Sequence, residues 1–215
     1  MRHLAHWDGN SWRRFTLPSP ERYSGLQIAG VAASGPDNVW AVGRIFDPDR
    51  VITRPAVFRW NGRTWNWVPS PRATKASVEL GSVAVSGRDV WVVGTRRGDG
   101  VSATRPFAMH YDGTSWRVSA IPPSSEDWHW LTGVAIAGDG RVWAAGTFRG
   151  GDPSVDVDQL PVVEGWNGTR WSSATLPLPD TTDNDPSYSL SDVAAYGKDA
   201  IGVGSGLAYR LVTCR

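Results

Sequence analysis

The sequence predicts an all-β protein: a β-propeller of four repeats with four-stranded antiparallel blades. Three observations carry that expectation. An aromatic residue, a tight turn and a tryptophan recur as one phrase, the copies stand about fifty residues apart, and short apolar runs bounded by turn residues fill the intervals. The leading aromatic falls at Trp7, Trp60, Tyr111 and Trp166, at spacings of 53, 51 and 55 residues. A tryptophan follows each, at Trp12, Trp65, Trp116 and Trp171, and then a proline at Pro18, Pro69, Pro122 and Pro177. All 215 residues read as one domain, with repeats at 19–69, 70–122, 123–177 and 178–215, the last completed by 1–18.

Within a repeat the strands follow in order. The first is written GVAAS, SVAVS, GVAIA or DVAAY, small residues among apolar ones, as an inner strand crowded near a propeller axis requires. The second is VWAVG, VWVVG, VWAAG or AIGVG, apolar throughout and so buried on both faces. PAVFRW and RTWNWV then flank Asn61-Gly62, a strong hairpin signal, because a type I′ turn needs φ > 0 at both central residues. A two-residue turn sets Trp60 opposite Arg63 and Phe58 opposite Trp65, and period-two alternation gathers Phe58, Trp60 and Trp65 on one face. Ten of the 13 tryptophans occupy repeated positions, and these read as packing between blades. The proline after each phrase protects the end of the outer strand, where a missing N–H does no harm.

This pattern resembles the kelch and galactose-oxidase-like propeller blades. It is most similar to the tryptophan-rich repeats of actinobacterial proteins, which read W-[ND]-G-x-x-W and then DVWAVG. The resemblance covers nearly the whole chain and implies a fold. It departs from kelch at the diagnostic double glycine, since VVGT and AVGR carry only one, and no tyrosine and cysteine pair is placed for the oxidase's copper.

Composition excludes several function classes. Lys+Arg 22 against Asp+Glu 21 leaves a net charge of +1, no electrostatic footprint for nucleic acid or an anionic membrane. The single cysteine, Cys214, makes no intramolecular disulfide. No run approaches the roughly 18 apolar residues of a membrane span, and the first residues lack the apolar core of a signal peptide. The expectation is a soluble chain, cytoplasmic as written and exported if it is a fragment of a secreted parent. Walker, Rossmann, zinc and nucleophile-elbow motifs are missing, and neither DPSVDVD nor DTTDND has EF-hand spacing, so no cofactor or metal is expected.

Antiparallel succession separates two ends of the blades. SGPDN, SGRD, GDGR and YGKD are short turns at one end, while the long, dissimilar connections lie at the other. Loops on a rigid scaffold are where binding residues concentrate, so the long-loop end is the expected site. There SSEDWHWLTG stands out, because Trp128 and Trp130 have no counterpart in the other repeats. They read either as flat faces for sugar rings or a partner protein, or as a plug for the axis. Glu126, Asp127 and His129 beside them are candidate polar contacts, together with Arg44, Arg96, Arg149 and Tyr188 from the same end. Salt bridges to loop carboxylates such as Asp47 are the plainer account of these arginines. His6 and His110 share the repeat position of Arg59 and read as a polar slot on the outer hairpin.

These residues point to recognition of a carbohydrate or protein ligand, a binding module more than an enzyme. The alternative is a glycoside-directed, sialidase-like hydrolase, with Tyr23 or Tyr188 as nucleophile and Glu126 or Asp127 as partner, or else a structural scaffold. For the ring, the expectation is closure by the N-terminal hairpin completing the last blade. That would give a monomer, and without it the chain is a homodimer or part of a larger propeller.

Overall fold

The computed structural model describes residues 3–18, 22–71, 76–98, 104–122, 128–149, 159–178, 188–205 and 207–212. Strands β1 (His3–Trp7) and β2 (Trp12–Thr16) form a hairpin of their own. The first four-stranded sheet follows as β3 (Ser24–Gly35), β4 (Asn38–Asp47), β5 (Ile52–Trp60) and β6 (Trp65–Trp67). The second holds β7 (Ser77–Ser86), β8 (Asp89–Arg97), β9 (Thr104–Tyr111) and β10 (Trp116–Ser119). The third holds β11 (His129–Ile136), β12 (Val142–Phe148), β13 (Leu160–Trp166) and β14 (Trp171–Thr175). A fourth, three-stranded sheet holds β15 (Leu190–Tyr196), β16 (Asp199–Gly204) and β17 (Leu207–Leu211). Every pair of neighbouring strands within a sheet is antiparallel and consecutive in the chain, and an isolated parallel bridge joins Thr104 to Trp128. Among the described residues there is no helix, and so none long and apolar enough to cross a membrane. The architecture is all-β and propeller-like, and each sheet buries one apolar face on the next.

The recurring tryptophans make those contacts. Across each outer hairpin the two aromatics of the phrase face each other: Trp7↔Trp12, Trp60↔Trp65, Tyr111↔Trp116 and Trp166↔Trp171. Onto such a pair the second-strand tryptophan of the preceding sheet inserts. Trp40 lies 5.4 and 5.8 Å from Tyr111 and Trp116, and Trp91 lies 5.4 and 5.5 Å from Trp166 and Trp171. The polar slot caps the inserted ring: the Arg59 guanidinium sits 5.5 Å over Trp40, and His110 stacks on Trp91 at 4.4 Å. The N-terminal pair differs, with Trp7 48% and Trp12 68% exposed where Trp171 is 2% exposed.

The single glycine that ends VWAVG has a steric cause. Each inner strand carries a bulge near this point. A Cβ on Gly43, Gly94, Gly146 or Gly204 would overlap the carbonyl oxygen of Gln27, Glu79, Trp130 or Ser189 respectively. Only glycine permits so close a backbone approach.

Two expectations are corrected. The hairpin turn is not a two-residue type I′ turn, since Trp60 faces Trp65 and Phe58 faces Trp67. The Asn61 side chain decides this: its Oδ1 accepts from the backbone N–H of Arg63 (3.0 Å) and Thr64 (2.9 Å), a local cap that competes with the tighter turn. Asp8, Asp112 and Asn167 do the same in their repeats. The next residue, Gly9, Gly62, Gly113 or Gly168, then takes positive φ. The N-terminal hairpin also does not complete the last blade. β17 already occupies the place beside β16, and β1–β2 is a separate sheet. The hairpin instead packs Leu4 into a cluster with Leu17, Tyr23, Ile45 and Phe58 on the first sheet, with Phe15 edge-on to Trp60 at 4.9 Å.

Candidate functional site

The long-loop end carries a cleft of about 200 Å³ between the first three sheets. Its walls come from the strand ends that the long connections join. Phe46 stands one residue before the end of β4, Thr53 is the second residue of β5, Glu79 stands near the start of β7, Arg97 ends β8, Thr104 begins β9 and Trp130 stands near the start of β11. On the rim, exposed Val51 has φ +54°, a conformation that a β-branched residue adopts only under strain.

The polar groups are of two kinds. Arg44 reaches across from β4, its guanidinium 2.5 Å from Glu79 and bonded through Nε to Gln27 Oε1 at 2.8 Å. Gln27, Glu79 and Trp130 fill the same slot in three successive sheets, each one residue before the apolar residue that faces the strand-two glycine. The hydroxyl oxygens of Thr53 and Thr104 are buried in the wall without a hydrogen-bond partner among the described residues. Buried hydroxyls left so are ready to bond a polar ligand. Nearby, Arg54 donates to Asp47 at 2.5 Å, and that bond holds the carboxyl below the usual carboxylate range.

The predicted residues fall unevenly around this cleft. Trp128 and Trp130 are half-buried neighbours with ring centres 5.8 Å apart, and Trp130 lines the wall. Arg44 belongs to the site through Glu79. Arg96 is exposed opposite Arg105, and the next residue, Arg97, is the one that lines the cleft. Arg149 is exposed, its backbone N–H bonded to the Trp128 carbonyl at 2.8 Å. Tyr188 bonds through its backbone N–H to the Gln159 carbonyl at 3.1 Å. Glu126 and Asp127 lie outside the described residues.

His129 is corrected from a ligand contact to a core residue. Strand alternation turns it away from the two tryptophans, and its side chain is 1% exposed. It meets Glu164, which is fully buried, with Nε2 3.4 Å from Oε1. Burial lowers the His129 pKa to about 4, and burial raises that of Glu164 to about 7 against the opposing bond from Ser173. Tyr23, the other tyrosine considered for catalysis, is buried against the first sheet's core, away from the cleft wall. Among the described residues no cluster of three or more His, Cys, Asp or Glu side chains is placed to hold a metal.

No family model and no curated protein matches the chain. It is similar in fold to a polysaccharide lyase. That enzyme, a PL25 ulvan lyase bound to a -[GlcA(1-4)Rha3S]- chain, superimposes with a TM-score of 0.56 at 13% identity, covering 91% of this chain and 52% of its own. This chain therefore spans about half the length of that lyase. A GH43 endo-arabinanase from Bacillus licheniformis aligns at TM-score 0.46 and 10% identity, over 87% of this chain and 67% of its own. YjhT aligns at 0.47 and 11%, over 93% and 64%. At such identities the likeness shows the fold alone. The expectation of a binding module more than an enzyme is corrected, because the same fold is that of a polysaccharide lyase.

Proposed function

We propose that the protein is a carbohydrate-active enzyme whose substrate enters the long-loop cleft. The observation that carries this is the convergence of Trp130, the Arg44–Glu79 pair, Arg97 and two unpartnered threonine hydroxyls around a space of about 200 Å³. An aromatic face with convergent polar groups suits a polyhydroxylated ring, which offers apolar C–H faces and equatorial hydroxyls. The volume is below the roughly 300 Å³ of an ordinary small-molecule pocket, so the cleft takes one ring of a longer glycan. The fold shared with a polysaccharide lyase supports the reading.

In this proposal Glu79 is the carboxylate that touches substrate, Arg44 orients it, and Trp130 with Trp128 forms the stacking platform. Glycoside cleavage uses a second acidic group, and Glu126 and Asp127, directly before Trp128 in the chain, are the sequence's candidates. The test is incubation with neutral and uronic-acid polysaccharides, following reducing ends and the ultraviolet absorbance of unsaturated ends. Turnover is expected, with kcat falling on the order of 10²-fold or more in Glu79→Gln and KM rising several-fold in Trp130→Ala. Reducing ends alone mark a hydrolase, and unsaturated ends a lyase. Failure to cleave any glycan, or full activity in Glu79→Gln, refutes the proposal.

A further inference from the structure

The third sheet places two ionisable residues where its neighbours place apolar ones. Glu164 faces Ala144 across β12–β13, the position held by Phe58 facing Ala41 and by Met109 facing Val92. His129 stands two residues before Leu131, as Val78 stands two before Leu80. Both substitutions point to the face that meets the second sheet, and the two side chains find each other there at 3.4 Å. The Ser173 hydroxyl donates to Glu164 Oε2 at 2.6 Å, leaving Oε1 for His129. No other polar partner reaches either group among the described residues: His129 Nδ1, His129 Nε2 and Glu164 Oε1 are all buried without a hydrogen bond.

A buried ion pair here would carry a desolvation cost of several kcal/mol per ion. A neutral imidazole beside a protonated carboxyl avoids it, with one proton serving both. Ala84, Trp91 and Val93 line the facing second sheet. By strand register its titratable or charged groups on that face are Asp89 with His110, 3.1 Å from each other, Arg117 opposite His110 on β10, and Glu79 and Arg97 in the cleft wall. None of them contributes to the displaced pKa of either buried group, for which burial and the Ser173 bond are the causes.

We infer that His129 and protonated Glu164 form a positioning latch: the carboxylic proton, directed at His129 Nε2, holds the start of β11 on the second sheet, fixes the Trp128–Trp130 platform, and releases it when Glu164 ionises. The proton then passes to solvent, leaving a buried carboxylate that must move to find water. The platform is coupled to the latch by the chain itself, since Trp128, His129 and Trp130 are consecutive, and two backbone contacts hold the same segment: Arg149 N–H to the Trp128 carbonyl ties it to the end of β12, and a parallel bridge between Trp128 and Thr104 ties it to β9 of the second sheet.

The inference concerns the strand under the cleft and is read without any glycan, so it stands or falls separately from the proposed activity. The experiment follows the indole N–H resonances of Trp128 and Trp130 by NMR between pH 5 and 9 in the full chain, assigned by Trp→Phe variants, with Trp40 as internal reference. In the native protein both signals should shift or broaden with a midpoint near 7, the value set for Glu164, while Trp40 stays still. Glu164→Gln keeps a neutral side chain at all pH values and should abolish the transition. His129→Val with Glu164→Met, which writes the second sheet's residues into the third, should abolish it too. Should that double variant not fold, Glu164→Gln decides alone. Platform signals that do not titrate in the native protein, or that titrate unchanged in Glu164→Gln, overturn the inference.

Discussion

Removing the indole of Trp91 tests the packing account most directly. The side chain is 5% exposed, stacked on His110 at 4.4 Å and flanked by Trp166 and Trp171 at 5.4 and 5.5 Å. Trp91→Ala removes this whole inter-sheet plug. Large-to-small substitution of a buried aromatic costs about 3–5 kcal/mol through lost transfer energy and the residual cavity. The site lies at the upper end, because rigid strands on both sides prevent collapse and about 0.5–1.5 kcal/mol of aromatic contact is lost with it. We expect about 4–5 kcal/mol, read as the shift in urea midpoint by circular dichroism at constant m-value. Trp12→Ala is the matched control, a tryptophan of the same repeated phrase that is 68% exposed, and should cost less than about 1 kcal/mol. Trp130→Ala, half-buried at the cleft, should fall between them. Equal losses in Trp91→Ala and Trp12→Ala would mean that repetition rather than burial had been mistaken for a structural role.

Three further outcomes are expected. Gly94→Ala forces a Cβ onto the Glu79 carbonyl, a backbone group that cannot rotate away, and should destabilise by more than about 2 kcal/mol in the same melts, at the upper end of the cost of overpacking. Gly62→Ala should cost more than Gly168→Ala: both sites have positive φ, but a Cβ at Gly62 meets Asp37 at 3.1 Å whereas Gly168 faces open space. Stability should peak in mildly acidic buffer. The Glu164 pKa is raised from 4.5 to about 7 on folding, so its contribution is complete below about 4.5 and is lost as pH rises through 7, a change of about 3 kcal/mol at roughly 1.4 kcal/mol per unit. That of His129 is lowered from 6.5 to about 4, so its contribution is complete above about 6.5 and fades as pH falls through 4. Urea midpoints between pH 4 and 9 that rise steadily to alkaline pH would contradict the Glu164 assignment, whereas midpoints that do not fall as pH drops from 6.5 towards 4 in Glu164→Gln would contradict that of His129.

The fold was legible because packing repeats what it needs. A ring inserted between sheets must recur at one strand position, and Trp40 and Trp91 announced themselves that way. The hairpin register was misread because Asn61-Gly62 satisfies two turn geometries, and the difference lies in where Asn61 Oδ1 points, which no spacing records. Ring closure by the hairpin was misjudged because β1 and β17 are equivalent strands, and the sequence does not say which takes the place beside β16. In the candidate site, Trp128 and Trp130 stood out in the sequence because they break the repeat. The same test applied to PAVFRW, PFAMHY and PVVEGW would have exposed Glu164, a carboxyl in a column of Phe58 and Met109. Glu79 carried no such mark, since a charged residue near a strand end reads as solvated until Arg44 and Trp130 are seen around it.

The glycine at the end of each second strand bears on how such a cleft can change its preference. The carbonyl it accommodates belongs to Gln27, Glu79, Trp130 and Ser189 in turn, so the contact that demands glycine also fixes the backbone of one residue per sheet. Those residues are an amide, an acid, an indole and a hydroxyl, all set at the same register position by main-chain atoms that do not depend on their side chains. Chemistry at the mouth can therefore be rewritten one codon per sheet while the strands beneath stay in register. Exchanging the side chains at 27, 79 and 130 among themselves would move acid, amide and aromatic face around the opening like tools between fixed holders.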